Sequence, residues 1–193
     1  MMHDRITNIL LVGVGGQGIL LASEILAETF MLAGFDVKKS EIHGMSQRGG
    51  SVVSHVRFGH EVFSPTIPEG EGDILFGFEL LETYRALPLL RPGGTVVASD
   101  YRIAPPAVLL GQAGYPDDLA ARMRARFPDF LLVDGLHLAQ QAGDVRAANT
   151  VLLGAVAKRL PIAEEVWQQA LQNMVPKKAL EVNRAAFQMG RML

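Results

Sequence analysis

The sequence predicts an α/β fold: three layers, α/β/α, around a mostly parallel Rossmann-like sheet, with a helical C-terminal segment. Three observations carry that expectation. Asn8 to Val12 is a short run of branched apolar residues ended by glycines, the pattern of a strand buried on both faces of a parallel sheet. From Ile19 the spacing becomes helical, with apolar residues at Ile19, Ala22, Ile25, Leu26, Phe30 and Ala33, Glu24 and Glu28 elsewhere on the circumference, and Gly34 as the stop. Phe35 to Ser40 then reads as a second strand, so the chain opens with a β-α-β unit and a right-handed crossover is expected.

The alternation breaks next. His43 to Gly50 has no apolar period and three glycines, whereas Val52, Val53, Val56 and Phe58 read as strand, so a helix is missing where a doubly wound fold places one. Ser64, Pro65, Pro68, Glu69 and Gly70 make a turn-rich connection. A strand over Asp73 to Phe78, a helix over Leu80 to Leu90 and a strand over Thr95 to Ser99 follow, with Pro92, Gly93 and Gly94 at the last junction. Pro105 to Pro116 is irregular, Asp118 to Arg126 a short basic helix, and Phe130 to Val133 the last strand. Beyond Asn149 the period is helical, with Ala163, Val166, Trp167, Ala170, Leu171 and Met174 spaced to face one side. The 193 residues are expected to form a single domain, residues 1–135 as the sheet core and 136–193 as a helical extension packed on it.

Composition narrows the function classes. The chain is 49% hydrophobic and 20% charged, with 18 Lys and Arg against 20 Asp and Glu, so it offers no electrostatic footprint for a nucleic acid or an anionic membrane. It has no cysteine, so it carries no iron-sulfur cluster of its own, and nearly all structural zinc sites are excluded. The residues Met1 to Arg5 lack the pattern of a signal peptide, and the long uncharged stretch Ile6 to Ser23 is interrupted by four glycines, Asn8 and Gln17. Cytoplasm is the expected location.

Two features could carry chemistry. Gly13, Gly15 and Gly18 complete G-x-G-x-x-G between a strand and a helix, a context in which backbone N–H groups and the helix amino end can face an anion. Dinucleotide binding, binding of a phosphate or other anion, and a purely structural tight turn all remain open. Glu41 is the candidate for the acidic partner of a dinucleotide fingerprint, although a glycine-rich loop follows it. The second feature is the polar loop Ser40-Glu41-Ile42-His43-Gly44-Met45-Ser46-Gln47-Arg48-Gly49-Gly50-Ser51 at the carboxyl end of an expected parallel strand, the edge where ligand crevices in open α/β sheets form. Gly44, Gly49 and Gly50 permit positive φ, Arg48 offers a bidentate fork, and His43 could move a proton. The alternative is an ordered surface turn. His55 and His60 lack metal-ligand spacing, G-x-S-x-G is absent, and Asp134 and His137 either face the crevice or cap the following helix.

The segments NILLVGVGGQGILL (Asn8 to Leu21), SEIHGMSQRGGSVVSHVRF (Ser40 to Phe58) and SPTIPE (Ser64 to Glu69), with the tail residues Lys178, Glu181, Asn183, Ala186, Phe187 and Gly190, resemble the gamma-type subunit or domain of 2-oxoacid:ferredoxin oxidoreductases. Within that family the chain looks most like the indolepyruvate type, Asp144 being a small departure. The resemblance implies oxidative decarboxylation of a 2-oxoacid to an acyl-CoA, with thiamine diphosphate, Mg and iron-sulfur clusters on a larger partner subunit and ferredoxin as acceptor. This chain is expected to bind none of these cofactors alone and to be inactive by itself. It would supply an interface and part of the coenzyme A site, for which Gly13, Gly15, Gly16, Gln17, Gly18, Gln47, Arg48 and Gly49 are the candidates. His43, Gly44, Met45, Ser46, Gly50 and Ser51 would form an interface or active-site loop, with no residue assigned a catalytic step. Two rivals stand beside this: a self-sufficient NAD(P)-dependent oxidoreductase, and a stand-alone homodimeric module for a CoA-like nucleotide.

Overall fold

The computed structural model describes residues 5–43 and 49–193. Six strands, β1 (Thr7–Val14), β2 (Asp36–His43), β3 (Ser51–Gly59), β4 (Gly72–Gly77), β5 (Leu90–Ser99) and β6 (Phe130–Val133), form one sheet in the order β2-β3-β1-β4-β5-β6. β1, β4, β5 and β6 pair in parallel, whereas β3 is antiparallel to both β1 and β2. The expected fold class therefore holds, with a correction to the opening unit. β1 and β2 run the same way but are not neighbours, because β3 lies between them. The cause is the link over residues 44–50: a parallel return needs a crossover of about a dozen residues or more, so β3 comes back antiparallel.

The helices are α1 (Ile19–Leu32), α2 (Leu80–Arg85), α3 (Pro106–Leu109), α4 (Leu119–Arg126), α5 (Gly135–Ala142), α6 (Ala148–Ala157), α7 (Glu164–Met174) and α8 (Leu180–Arg191). The helix expected over Leu80 to Leu90 is shorter than its apolar pattern. It ends at Arg85, a 3₁₀ turn covers Leu87–Leu89, and Leu90 already belongs to β5. Pro88, with no N–H to donate, sits in that turn and prevents a longer helix.

Alternation along the strands splits the apolar side chains between two layers. Ile9 and Leu11 of β1, Val56 and Phe58 of β3 and Phe76 of β4 face α1, α6, α7 and α8. Leu10, Val12, Leu75, Val96 and Ala98 face α2 and α4. The first layer is knit by aromatics: Phe30 stacks on Phe58 with centroids 3.7 Å apart and meets Trp167 edge-on at 6.3 Å, and Trp167 lies 5.6 Å from Phe187. Burying each such side chain contributes about 1.5–3 kcal/mol relative to exposure. α6 and α8 cross with their backbones in contact, since a Cβ on Gly190 would lie 1.9 Å from the Val151 carbonyl oxygen and one on Gly154 2.1 Å from that of Phe187. At the amino edge of the sheet, Asp73 accepts hydrogen bonds from Arg5 (2.7 Å), Arg91 (2.7 Å) and the Asn8 N–H (2.9 Å), tying β1, β4 and β5 together. The carboxyl edge is left to the glycine turn.

Candidate functional site

β1 ends at Val14 and α1 begins at Ile19, so Gly15, Gly16, Gln17 and Gly18 turn the chain at the carboxyl edge. Gly16 (φ +105°) and Gly18 (φ +79°) occupy the left-handed region that side chains other than glycine rarely adopt. Gly13 is required by packing: a Cβ there would lie 2.7 Å from Gln17 Oε1 and 2.8 Å from Phe78 Cβ. The Gln17 amide is turned inward, accepting from the Val14 N–H (2.7 Å) and donating to the Phe78 carbonyl (2.8 Å), so it fastens the turn to the end of β4.

The two glycine segments singled out in the sequence meet here. The Gly15 N–H donates to the Gly50 carbonyl at 2.9 Å and the Gly49 N–H to the Gly15 carbonyl at 3.4 Å. Ser51 pairs with Val14 across the β1–β3 ladder, and its hydroxyl donates to Glu82 Oε2 at 2.6 Å. Gly44, Met45, Ser46, Gln47 and Arg48 lie outside the described residues, as does the side chain of His43, whose backbone ends β2.

Beside the turn a cavity of about 390 Å³ and one of about 490 Å³ share Leu21 as a wall. The larger is lined by Gly15, Gly16, Gly18, Leu20, Glu24 and Val52. α1 has no acidic residue in its first turn and no side-chain cap. The amides of Ile19, Leu20 and Leu21 thus have no acceptor inside the helix, and the positive end of the helix dipole faces this space. The smaller cavity is lined by Asn149, Asn183, Arg146 and Lys178 among others. Asn149 joins the two, its Nδ2 donating to the Gly18 carbonyl at 3.4 Å. Behind it the Thr150 hydroxyl donates to Asn183 Oδ1 (2.6 Å), and Asn183 Nδ2 donates to the Ala179 carbonyl (2.8 Å).

Glu79, a residue that sequence reasoning passed over, holds the other side of this edge. It is 1% exposed, and its carboxylate accepts from the Glu82 N–H (2.8 Å), the Ile103 N–H (3.0 Å) and the Tyr115 hydroxyl (2.6 Å). Tyr115 in turn accepts from the Leu81 N–H at 3.1 Å, and burial, then the Glu79 carboxylate, push its phenol above the ordinary value. The segment after β5 is pinned to α2 by this one carboxylate. The available signal was a lone Glu just before an apolar helical run, which is an N-cap position; Asn149 had no signal beyond its place at the start of a helix.

Other candidates take structural places. Asp134 caps α5 by accepting from the His137 N–H (3.0 Å), and the His137 ring meets Gln141 at 3.0 Å. His55 is buried, its Nδ1 accepting from the Ile67 N–H at 3.0 Å, and burial, then Arg57, lower its pKa. Glu41 lies beside Ser23 of α1 (3.2 Å) and Lys39 (3.2 Å). A dinucleotide fingerprint needs its acid on the strand next to β1, and that place belongs to the antiparallel β3.

A family model described as pyruvate ferredoxin/flavodoxin oxidoreductase matches residues 8–193. Over 188 residues the sequence is 39% identical to indolepyruvate oxidoreductase subunit IorB of Thermococcus kodakarensis, covering 95% of this chain and 93% of that one. It is 27% identical to 2-oxoglutarate synthase subunit KorC of Methanothermobacter thermautotrophicus, covering 94% and 91%. The fold is shared with the keto/oxoacid ferredoxin oxidoreductase gamma subunit of Geobacter sulfurreducens, with a TM-score of 0.71 at 24% identity and 95% of each chain covered. It also matches 31% of a chain of the 2-oxoglutarate:ferredoxin oxidoreductase of Magnetococcus marinus, solved with 2-oxoglutarate, coenzyme A and succinyl-CoA bound, with a TM-score of 0.73 at 20% identity and 98% of this chain covered.

Proposed function

The chain belongs to the pyruvate ferredoxin/flavodoxin oxidoreductase family, and from that premise we propose that it is the small, gamma-type subunit of a 2-oxoacid:ferredoxin oxidoreductase of the indolepyruvate type. The observation that carries this reading is the 39% identity to an indolepyruvate oxidoreductase subunit, spread over nearly the full length of both chains. In the proposed reaction a 2-oxoacid and coenzyme A yield the acyl-CoA, CO₂ and a proton, while two electrons pass to oxidised ferredoxin. The chain has no cysteine, and its described residues hold no group of three or more His, Asp or Glu side chains able to bind a metal ion. A chain without cysteine does not fit an iron-sulfur cluster, and in this reading the clusters and thiamine diphosphate with its Mg belong to a larger, cytoplasmic partner subunit.

What this chain supplies in the proposal is the glycine turn. The first-turn amides of α1, which border the cavity beside Gly16 and Gly18, suit an anionic group of coenzyme A. Gly13 and Gln17 hold the turn's shape, and Gly49 and Gly50, with Ser51 at the start of β3, buttress it. Gln47 and Arg48 enter on sequence grounds alone. The purified chain is expected to reduce neither ferredoxin nor viologen with any 2-oxoacid, and co-expression with its larger subunit should restore CoA-dependent turnover. Turnover by this polypeptide alone would overturn the assignment.

A further inference from the structure

β2 lies at the end of the sheet, and among the described residues no strand pairs with its outer side. We propose that this edge is a docking surface for a second copy of the chain, with the two β2 strands antiparallel about a twofold axis at Ser40. The inference is independent of the oxidoreductase reading.

An isologous pairing of two identical edges needs a twofold axis perpendicular to the sheet, which keeps each face of the joined sheet continuous. The residue on the axis then faces its own copy, and the flanking residues pair in reverse order. Val37, Lys39 and Glu41 point to the α1 side: Val37 packs on the larger core, and Lys39 lies 3.5 Å from Glu24 and 3.2 Å from Glu41. Lys38, Ser40 and Ile42 alternate to the other face. An axis at Lys38 or Lys39 opposes two ammonium groups, and one at Glu41 opposes two carboxylates, both destabilising arrangements. An axis at Val37 or Ile42 leaves only the outermost residues of Asp36–His43 opposed.

An axis at Ser40 behaves differently. Positions 37 to 43 are all opposed, Lys39 of each copy faces Glu41 of the other, and the stem of Lys38 covers Ile42, which is 56% exposed in the single chain. Lysines on an edge strand normally guard it against pairing. Here the same charges disfavour the neighbouring registers and select this one.

Because the chain has no cysteine, Ser40→Cys introduces a single thiol. Directly opposed residues of an antiparallel pair have Cα atoms about 4.5–5.5 Å apart, inside the range of about 4.4–6.8 Å that a disulfide spans. Mild oxidation of the full chain carrying Ser40→Cys should give a covalent dimer. Lys38→Cys should not, whereas Lys38→Cys combined with Ile42→Cys should. In sedimentation across a concentration series, Ile42→Glu should tighten self-association several-fold by facing Lys38 of the other copy, and Ile42→Lys should weaken it by a similar factor. A chain that stays monomeric throughout the series, equal response to the two Ile42 variants, or crosslinking by Lys38→Cys but not by Ser40→Cys would each overturn the proposal.

Discussion

The crossing of α6 with α8 and the turn after β1 both depend on glycine, for opposite reasons. At the crossing the missing side chains leave space that is already filled, with the Val151 carbonyl against Gly190 and the Phe187 carbonyl against Gly154. At the turn, Gly16 has no described atom within 4 Å of where a Cβ would stand, and its requirement is the positive φ alone. Gly18 lies between the two cases: its φ is positive, and a Cβ added there would stand only 2.6 Å from Asn149 Nδ2. A glycine whose empty volume is occupied by its own fold serves packing; one whose empty volume opens on a cavity leaves its backbone accessible to another molecule.

The contrast is broken most directly at Gly190. Gly190→Ala must push two helix backbones apart, and overpacking typically costs about 1–3 kcal/mol and occasionally more. We expect about 3 kcal/mol, read as a drop of about 6–12 °C in the thermal unfolding midpoint. A drop under a couple of degrees would show that the crossing yields easily. Gly16→Ala should lose less stability, about 1–2 kcal/mol from left-handed strain, but should raise the Michaelis constant for coenzyme A in the assembled enzyme. An unchanged constant would remove the turn from the ligand site.

The smallest effect is expected at Asp144, on the rim of the smaller cavity. Arg146, through its side chain and then its backbone N–H, holds this carboxyl down to about 2. A folded value below the unfolded one means that its contribution is present above about pH 4 and is lost as the pH falls through 2. A carboxyl-carbon NMR titration should show the depressed midpoint, and Arg146→Ala should return it toward 3.8. A midpoint near 4 in the parent chain would remove the ion pair from the rim.

Much of the fold was legible because burial writes a period into the chain. Asn8 to Val12 and Phe130 to Val133 lie within or match the strands formed, and the helical pattern from Ile19 to Ala33 runs one residue past α1, of which Ala33 is the C-cap. Strand direction was not legible, since Val52, Val56 and Phe58 read as strand whichever way β3 runs; only the short link before them constrains it. The site divided in the same way. Glycine spacing revealed the turn, but Asn149 reaches Gly18 across 131 positions of sequence and Glu79 reaches Tyr115 across 36, contacts that no local pattern encodes.

The aromatic layer also bears on how the chain folds as it is synthesised. Phe30 emerges early, but Trp167 and Phe187, which complete its cluster, emerge more than a hundred residues later. Throughout that interval the inward face of α1 has no native cover from these helices. A nascent chain in this state presents apolar surface of the kind that favours aggregation or chaperone capture, so slowing elongation before residue 187 should lower the yield of folded protein more than slowing it afterwards.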